Sequence, residues 1–531
     1  MSSEVSLVSV EDELDATFAA YVAANHSPGL AYGIVSADGL VRSGGFGVAN
    51  PAGVGPGADT PFPIASMSKS FCAAATLIAR DRGLLSLDDP ITKYFPEFKA
   101  TGAPDGDVPP PSLRMLLSMS GGLTEDNAWV DPQIGTSESE LLAIVSRGLK
   151  YSHTPGTVYE YSNTGFTLVG MALQQATGRQ YAEFVTTELL EPLGMTATKL
   201  SPSQFDDTVR AAGYSLDPGG TWVPYPVAES GAFLAAGGIV STVRDLSVWV
   251  TWLGEAFRPG RASAAASGVD VLSRASRREM QLMESVIPPS VALRPAGSWR
   301  LVAGGYGLGL AIDQELHYGT VVSHGGGLPG YKLFMCWHPD SGDGLVVLTN
   351  SHRGDPSTLT REGVLRLLNA HRRPAGTVLL WPETVRARLD AESLIRSWDD
   401  ELAARLFAAN VDFDRPLPQR RAEIERLVAE IGPLRAARPV TEVVSAATSA
   451  DVTWSIPGEN GELICMVHMT PAEPPQVQEF VVRAVGLSTP RSAAPTDIAP
   501  RRDSLGQAYL ASEPNVTVIV PPVELITGAD G

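Results

Sequence analysis

The sequence predicts two units: a large α/β or α+β sandwich with a mostly helical insertion, followed by a smaller α+β domain. At 531 residues the chain is too long for one ordinary domain. Strand-like segments occur near both ends of the first unit, over residues 30–47 and 307–350, with helical patterns between and beside them. Helices therefore bracket one sheet. Beyond residue 372 a second series begins with helices and ends with strands.

The first unit opens with a helix and a hairpin. Residues 9–25 carry apolar side chains at helical spacing and acidic residues in the first turn. Residues 30–35 and 40–47 are strand-like and flank an Asp-Gly turn. Further helices are predicted over residues 70–79, 112–118, 168–175 and 180–190, and after Thr242, which is spaced with Asp245 as a capping box.

The second half of this unit is predicted to be mainly strands. Residues 254–300 lack a clear period and suggest a long surface excursion. Residues 307–312 and 319–323 are predicted strands, and His324-Gly325-Gly326 is expected to interrupt the sheet between two strands. Further strands over 331–338 and 345–350 and a helix over 357–370 complete the unit.

The predicted organisation is a first domain over residues 1–372, a linker over 373–392 and an accessory domain over 393–531. Amphipathic helices are predicted over residues 393–409 and 416–431, and strands follow from residue 452. Helices followed by a curved antiparallel sheet resemble the steroid-isomerase-like fold in pattern alone. We expect a structural role for this domain, such as a lid, a dimer contact or a specificity wall, with a small-molecule binding module as the alternative.

Composition excludes several classes of partner. The net charge of −19 argues against nucleic acid and against an anionic membrane surface. No stretch of 18 apolar residues occurs, and the first residues lack the features of a signal peptide, so we expect a cytoplasmic protein. Cys72, Cys336 and Cys465 lie far apart without CxxC spacing, which predicts core residues rather than disulfides or a metal site. We expect neither a metal nor a cofactor.

The most informative stretch is Ser66-Met67-Ser68-Lys69, at the start of an apolar helical segment. Ser66 and Lys69 are three positions apart in the sequence, which places both on one helix face. Burial disfavours the lysine ammonium, and a neutral amine beside a hydroxyl can activate a serine as a nucleophile. The alternative is a helix-capping serine with an unrelated lysine nearby.

Two further motifs follow in the chain, and each also has a purely structural interpretation. Tyr161-Ser162-Asn163 precedes a helical segment, and Asn and Ser are common in turns because they bond their own backbone. His324-Gly325-Gly326 could be a bulge that needs glycine. The three motifs are separated by roughly 95 and 160 residues, and their joint occurrence makes coincidence a poor explanation.

In these three motifs the chain up to about residue 372 resembles the serine β-lactamase and penicillin-binding protein family, in its class C, D-aminopeptidase and esterase branch. Flanking phrases agree with that family, among them Arg82 to Pro90, Pro155-Gly156 and Leu193-Gly194-Met195. The resemblance implies a β-lactamase-like sandwich, in which helices flank an antiparallel sheet that carries a helical subdomain. It also implies hydrolysis of an ester or amide through an acyl-enzyme.

The resemblance assigns a role to each motif residue. Ser66 is the implied nucleophile, and Lys69 and Tyr161 share its proton, with the choice of general base left open. Asn163 is expected to bind the amide or acyl side chain of the substrate. His324 is expected to donate a hydrogen bond or to orient Tyr161.

The glycines of the third motif complete the implied site. Gly325 and Gly326 let a substrate lie along the strand edge. The backbone N–H groups of Ser66 and Gly327 form the implied oxyanion hole.

The histidine departs from the Lys-Thr-Gly strand motif of many relatives. Lysine is a permanent cation that suits substrate carboxylates, whereas His324 is mostly neutral at pH 7. We therefore expect a small molecule or a short peptide of the ester, amide or D-aminoacyl class as substrate. The alternatives are a β-lactamase or a D-Ala-D-Ala carboxypeptidase-like penicillin-binding protein, an acyltransferase using the same site, and a non-catalytic binder. A homo-oligomer is compatible with the pattern.

Overall fold

The computed structural model describes residues 9–104, 106, 108–229, 231–258, 271–293, 299–315, 317–371, 378, 380–436, 446–486, 501–502, 508–511 and 517–519. The chain forms two compact units, Met1–Gly376 and Thr377–Gly531. No helix within these described ranges has the length and apolar character needed to cross a membrane.

The helices of the first unit surround a single large sheet. They are α1 Val10–Asn25, α2 Ser68–Asp81, α3 Leu113–Leu117, α4 Asn127–Val130, α5 Glu138–Arg147, α6 Asn163–Thr177, α7 Tyr181–Val185, α8 Glu191–Leu193, α9 Leu234–Gly237, α10 Val243–Gly254, α11 Arg274–Met280 and α12 Pro356–Ala370. Short 3₁₀ turns include Ala65–Met67 and Asp131–Gln133, and Thr186–Leu190 is a π-helical turn.

The strands of this unit are β1 Gly29–Ser36, β2 Gly39–Gly47, β3 Phe62–Pro63, β4 Ala100–Thr101, β5 Leu149–Lys150, β6 Gly213–Leu216, β7 Trp222–Tyr225, β8 Val240–Ser241, β9 Ser285–Leu293, β10 Trp299–Tyr306, β11 Ala311–Glu315, β12 Gly319–Leu328, β13 Tyr331–Trp337 and β14 Gly344–Thr349. Eight of them form one antiparallel sheet in the order β2-β1-β14-β13-β12-β11-β10-β9. The predicted sandwich, with strands from both ends of the segment and a helical insertion, is confirmed.

Alternating side chains place different helices on the two faces of the sheet. On β1, Leu30, Tyr32 and Ile34 pack in one apolar cluster with side chains of α1 and α12. Ala31 and Val35 belong to the main core on the opposite face, with side chains of α2, α6 and α10. This alternation follows from the two-residue period of a strand. Helix α2 is buried over twelve consecutive residues, as its apolar sequence predicts.

The prediction for residues 254–300 is wrong. Helix α11 and strands β9 and β10 lie there, and both strands extend the sheet. Proline and glycine interrupt the sequence pattern that would predict these strands. β9 contains Pro288 and Pro289 and forms the end of the sheet, where proline is tolerated. The strand predicted over 307–312 is also misplaced, because Gly309 turns the chain with φ +73° between β10 and β11.

The predicted interruption at His324-Gly325-Gly326 is also wrong, because β12 runs through it to Leu328. The motif pairs with β13 on one side, from His324↔Met335 to Leu328↔Tyr331. On the other side, pairing with β11 stops at Ser323. The segment from His324 onward therefore lies inside a strand that has an open edge.

The second unit has its own core of helices and strands. Its elements are α13 Pro382–Arg396, α14 Asp400–Leu406, α15 Ala409–Asp414, α16 Leu417–Ile431, β15 Asp451–Pro457, β16 Gly461–Met469, β17 Val477–Gly486, β18 Arg501–Arg502, β19 Ala508–Ala511 and β20 Thr517–Ile519. β15-β16-β17 and β18-β19-β20 are antiparallel sheets. The steroid-isomerase-like fold stays a prediction.

Two boundaries in this unit differ from the sequence prediction. Helix α13 begins at Pro382, inside the stretch predicted as a linker. The sequence does not indicate this helix because its buried face includes the small residues Ala387 and Ala391, which give a weak apolar signal. The single helix predicted over 393–409 is divided, because Asp399 accepts hydrogen bonds from Glu401 N and Leu402 N and starts α14 anew.

We predict that Gly326→Ala destabilises the first unit. A Cβ at Gly326 would lie 2.4 Å from the carbonyl oxygen of Ile64, whereas a Cβ at Gly327 would meet open space. Overpacking of this kind costs about 1–3 kcal/mol of unfolding free energy. Denaturant unfolding should show this loss for Gly326→Ala and a much smaller one for the matched control Gly327→Ala. Equal stability of the two variants would contradict the close approach of β12 to the Ser66 turn.

Candidate active site

Ser66 lies in the 3₁₀ turn Ala65–Met67, and Lys69 is the second residue of α2. The prediction that both lie in the first turn of one α-helix is therefore corrected: the serine lies in the 3₁₀ turn that directly precedes α2. Ala65 adopts a left-handed conformation, with φ +49°, which costs about 1–2 kcal/mol for a residue with a Cβ. Surrounding packing holds this strain, since Ala65 is buried. Ser66 is half-buried and faces a cavity.

Lys69 has no solvent exposure, and three oxygens surround its amine. Nζ lies 3.0 Å from Ser66 Oγ, 2.6 Å from Asn163 Oδ1 and 2.8 Å from the carbonyl oxygen of Ala236. Burial lowers the pKa of Lys69 to about 7, against the partly opposing charge of Asp126. The amine is therefore poised between its charged and neutral forms near neutral pH.

Asp126 organises the N-terminus of α6. One oxygen, Oδ1, accepts from Asn163 N at 2.7 Å and from Asn163 Nδ2 at 3.1 Å, and Oδ2 accepts from Thr164 N at 2.8 Å. A buried carboxylate at a helix N-terminus bonds otherwise unpaired N–H groups and faces the positive end of the helix dipole. Ser162 caps the same helix by accepting from Gly165 N.

The polar atoms of the Asn163 side chain form hydrogen bonds within the protein, and its role in substrate binding stays a prediction. Its Nδ2 donates to Asp126 and, at 2.8 Å, to Asn127 Oδ1, while its Oδ1 accepts from Lys69. Because a carboxylate only accepts hydrogen bonds, Asp126 fixes which end of the amide faces Lys69. Asn163 therefore positions the lysine, and both Asn127 and Asn163 line a small pocket beside Ser66.

His324 is buried, and both ring nitrogens have hydrogen-bond partners within the protein. Its predicted roles, a hydrogen bond donated to the substrate or the orientation of Tyr161, stay predictions. Nδ1 lies 2.6 Å from the carbonyl oxygen of Gly325, and Nε2 lies 2.7 Å from the hydroxyl of Tyr306. A carbonyl only accepts, so Nδ1 carries the proton. Burial, helped by the charge of Lys69, lowers the pKa of His324 to about 3. The ring is therefore a neutral imidazole whose Nε2 accepts from Tyr306.

Tyr161 completes the group around Ser66. It lines the same cavity as Ser66, and Lys69 Nζ lies 4.8 Å from the centre of its ring. Burial raises the pKa of Tyr161 far above its usual value. The phenol is therefore protonated across the physiological range.

A cavity of about 430 Å³ opens over Ser66. One wall is the open edge of β12, where Gly325 and Gly327 line the cavity. An extended backbone can pair with such an edge. The remaining lining side chains are Asn127, Asp131, Tyr159, Tyr161, Tyr306, Ala311, Ser323, His324, Phe334 and Arg361.

The structure brings the three predicted motifs together and adds residues that the sequence did not reveal. Ser66, Lys69, Tyr161, Asn163 and His324 converge on the cavity or on the lysine beside it. Asp126 and Tyr306 belong to no short sequence motif, and only the fold brings them close to the residues of the site. Asp126 lies 36 residues before Ser162, with which it shares the cap of α6.

The chain is similar in sequence to several known proteins. The family model described as "Beta-lactamase" matches residues 14–370. Penicillin-binding protein 4* from Bacillus subtilis (strain 168) is 26% identical over 304 residues, which cover 54% of this chain and 60% of that protein. Protein flp from Staphylococcus aureus (strain COL) is 26% identical over 298 residues, which cover 55% of this chain and 53% of that protein. The match thus spans less than two thirds of either relative.

Solved structures share the fold. The octameric penicillin-binding protein homologue from Pyrococcus abyssi is 19% identical with a TM-score of 0.56, covering 88% of this chain and 99% of that one. D-alanine carboxypeptidase AmpC from Burkholderia cenocepacia is 20% identical with a TM-score of 0.52, covering 68% of this chain and 99% of that one.

We predict that Tyr306→Phe destabilises the protein by about 1–3 kcal/mol, because His324 Nε2 becomes a buried acceptor without a donor. Tyr159→Phe is the matched control: this tyrosine lines the same cavity, and no hydrogen bond from its hydroxyl occurs within the described residues. The free energies of unfolding in denaturant should separate the two variants. Equal losses would mean that the Tyr306 hydroxyl does not hold His324.

Proposed function

The chain belongs to the beta-lactamase family, in its serine β-lactamase and penicillin-binding-protein-like group, and on this premise we propose that it hydrolyses an ester or amide through an acyl-enzyme on Ser66. The single observation that carries the proposal is the set of contacts around Lys69 Nζ. Those contacts supply a reason for this serine to be nucleophilic.

Lys69 is the proposed general base. A neutral amine has two N–H groups and one lone pair, whereas its three neighbours here include two oxygens that can only accept: Asn163 Oδ1 and the carbonyl of Ala236. Both N–H groups are used by these two oxygens. The lone pair is then left facing Ser66 Oγ at 3.0 Å, where it can accept the hydroxyl proton.

In the proposed acylation step, Ser66 Oγ bonds to the substrate carbonyl carbon while its proton moves to Lys69 Nζ. The bond from that carbon to the leaving group then breaks. Tyr161, which is protonated and lines the same cavity as Ser66, gives its proton to the departing atom and regains one from Lys69. Water enters by the reverse route, cleaves the acyl ester and restores Ser66.

The developing oxyanion needs hydrogen-bond donors. We assign this role to the backbone N–H groups of Ser66 and Gly327, two residues that line the same cavity. Gly327 suits this place because a Cβ there would project into open space and reduce the room for a carbonyl.

Charge in the cavity favours esters, amides or aminoacyl compounds over β-lactams and D-Ala-D-Ala peptides. His324 is neutral, so no permanent cation stands at this strand position to pair with a substrate carboxylate. Arg361 lines the cavity, but it pairs with Asp313 and donates to Ser323 Oγ at 3.0 Å. Its charge is therefore largely compensated within the protein.

We predict that Ser66→Ala lowers turnover of short 4-nitrophenyl esters by about 10³-fold or more, because the acyl-enzyme cannot form. A fluorophosphonate should add one phosphonyl mass to the peptide that contains Ser66. Ser68→Ala is the matched control, since Ser68 is fully buried two residues away and accepts from Ile239 N. Labelling and turnover should persist in it.

Persistent labelling of Ser66→Ala would overturn the mechanism. A wild-type protein that never forms an adduct, across ester, amide and β-lactam panels, would instead favour a non-catalytic binder. Added alcohols or amines that become acylated at the expense of water would identify an acyltransferase.

A further inference from the structure

Asp131 is a carboxylate in the catalytic cavity that has no role in the proposed mechanism. It begins the 3₁₀ turn that follows α4 and lines the cavity together with Ser66 and Asn127. No hydrogen bond or ion pair to its side chain occurs within the described part of the chain. Half-burial, together with the nearby charge of Glu125, raises the pKa of Asp131. The carboxyl group therefore faces the cavity without an ion-pair partner among the described residues, while the charge of Lys69 acts on its pKa in the opposite direction.

The neighbouring groups leave this end of the cavity negative. The charge of Lys69 lowers the pKa of Asp131, but the Lys69 amine is held by Asn163 and Ala236 and is neutral when it acts as a base. Arg361 is compensated by Asp313, and its guanidinium lies 5.1 Å from the ring centre of Phe334. His324 is uncharged.

We propose that Asp131 binds a positively charged amino group of the substrate, so that the preferred substrates are esters or amides of aminoacyl type with a free amine. This inference rests on the proposed function, because it assigns the substrate class of the same cavity. The ammonium would pair with Asp131 while the scissile carbonyl lies at Ser66. Charge-assisted hydrogen bonds of this kind are among the stronger polar contacts.

The charge of the substrate also acts on the base. A cation bound at Asp131 disfavours the ammonium form of Lys69 and so keeps the general base neutral. A substrate carboxylate in the same place would have the opposite effect and would also be repelled by Asp131. Asp131 therefore favours a positively charged substrate, and the charge of that substrate in turn favours the neutral, basic form of Lys69.

The test compares methyl esters of D- and L-alanine with their N-acetyl derivatives at pH 7, where a free α-amino group, with a pKa near ~7.8, is mostly charged. The readout is the ratio of kcat/KM for the free amine to kcat/KM for the N-acetyl ester. In Asp131→Asn this ratio should fall by about 10- to 100-fold. In Asp131→Glu, which keeps the charge, it should largely persist.

Asp340→Asn is the matched control, because it removes one carboxylate from an exposed turn between β13 and β14 and should leave the ratio unchanged. A trimethylammonium analogue of the alanine ester separates charge from hydrogen bonding. If it also loses rate in Asp131→Asn, charge attraction is the cause.

The outcomes separate this inference from the proposed function. A wild-type ratio near one, or a ratio that Asp131→Asn does not change, would overturn the inference while acylation of Ser66 still supports hydrolysis. Absence of any Ser66 adduct, with esters and with a fluorophosphonate, would overturn the proposed function and with it the assignment of Asp131.

Discussion

The candidate active site depends on one constraint: the Lys69 amine is buried beside two oxygens that only accept hydrogen bonds. These oxygens can bind two N–H groups of the amine, so the third direction of the nitrogen faces Ser66. Burial destabilises the charged ammonium form of Lys69, and the acceptors Asn163 Oδ1 and Ala236 O orient the amine in either protonation state. Asp126 fixes the amide of Asn163, and helix α6 in turn holds Asp126 through backbone N–H groups. A chain of donors and acceptors thus runs from a helix terminus to a serine hydroxyl.

The sheet contributes a second constraint, which is the close approach of one strand to the turn that carries Ser66. Strand β12 passes so near the Ser66 turn that a Cβ at Gly326 would meet the backbone of Ile64, and the strand presents Gly327 to the cavity beside Ser66. The strained backbone of Ala65 lies at this junction. The proposed oxyanion hole therefore depends on packing between two distant parts of the chain rather than on the local sequence of either.

Sequence patterns predicted the parts of the fold whose signal is local. The apolar segment after Ser66, the alternating strand β1 and the hairpin of β13 and β14 are all visible in the sequence because burial imposes their period. The sequence does not predict strands β9 and β10, because prolines and glycines interrupt their period at the end of the sheet. The three motifs identified the site, but Asp126, Tyr306 and Asp131 enter it through tertiary structure, and no local pattern distinguishes them from other polar residues.

The most direct test of the central claim is the pH dependence of Ser66 acylation by an uncharged fluorophosphonate. Only neutral Lys69 can accept the proton, so the rate constant should rise about tenfold per pH unit below neutrality and level off above an apparent pKa of about 7. Tyr161→Phe should keep this midpoint, since the pKa of Tyr161 lies far higher. A rate that is constant from pH 5 to 9, or a midpoint that disappears in Tyr161→Phe, would contradict Lys69 as the base.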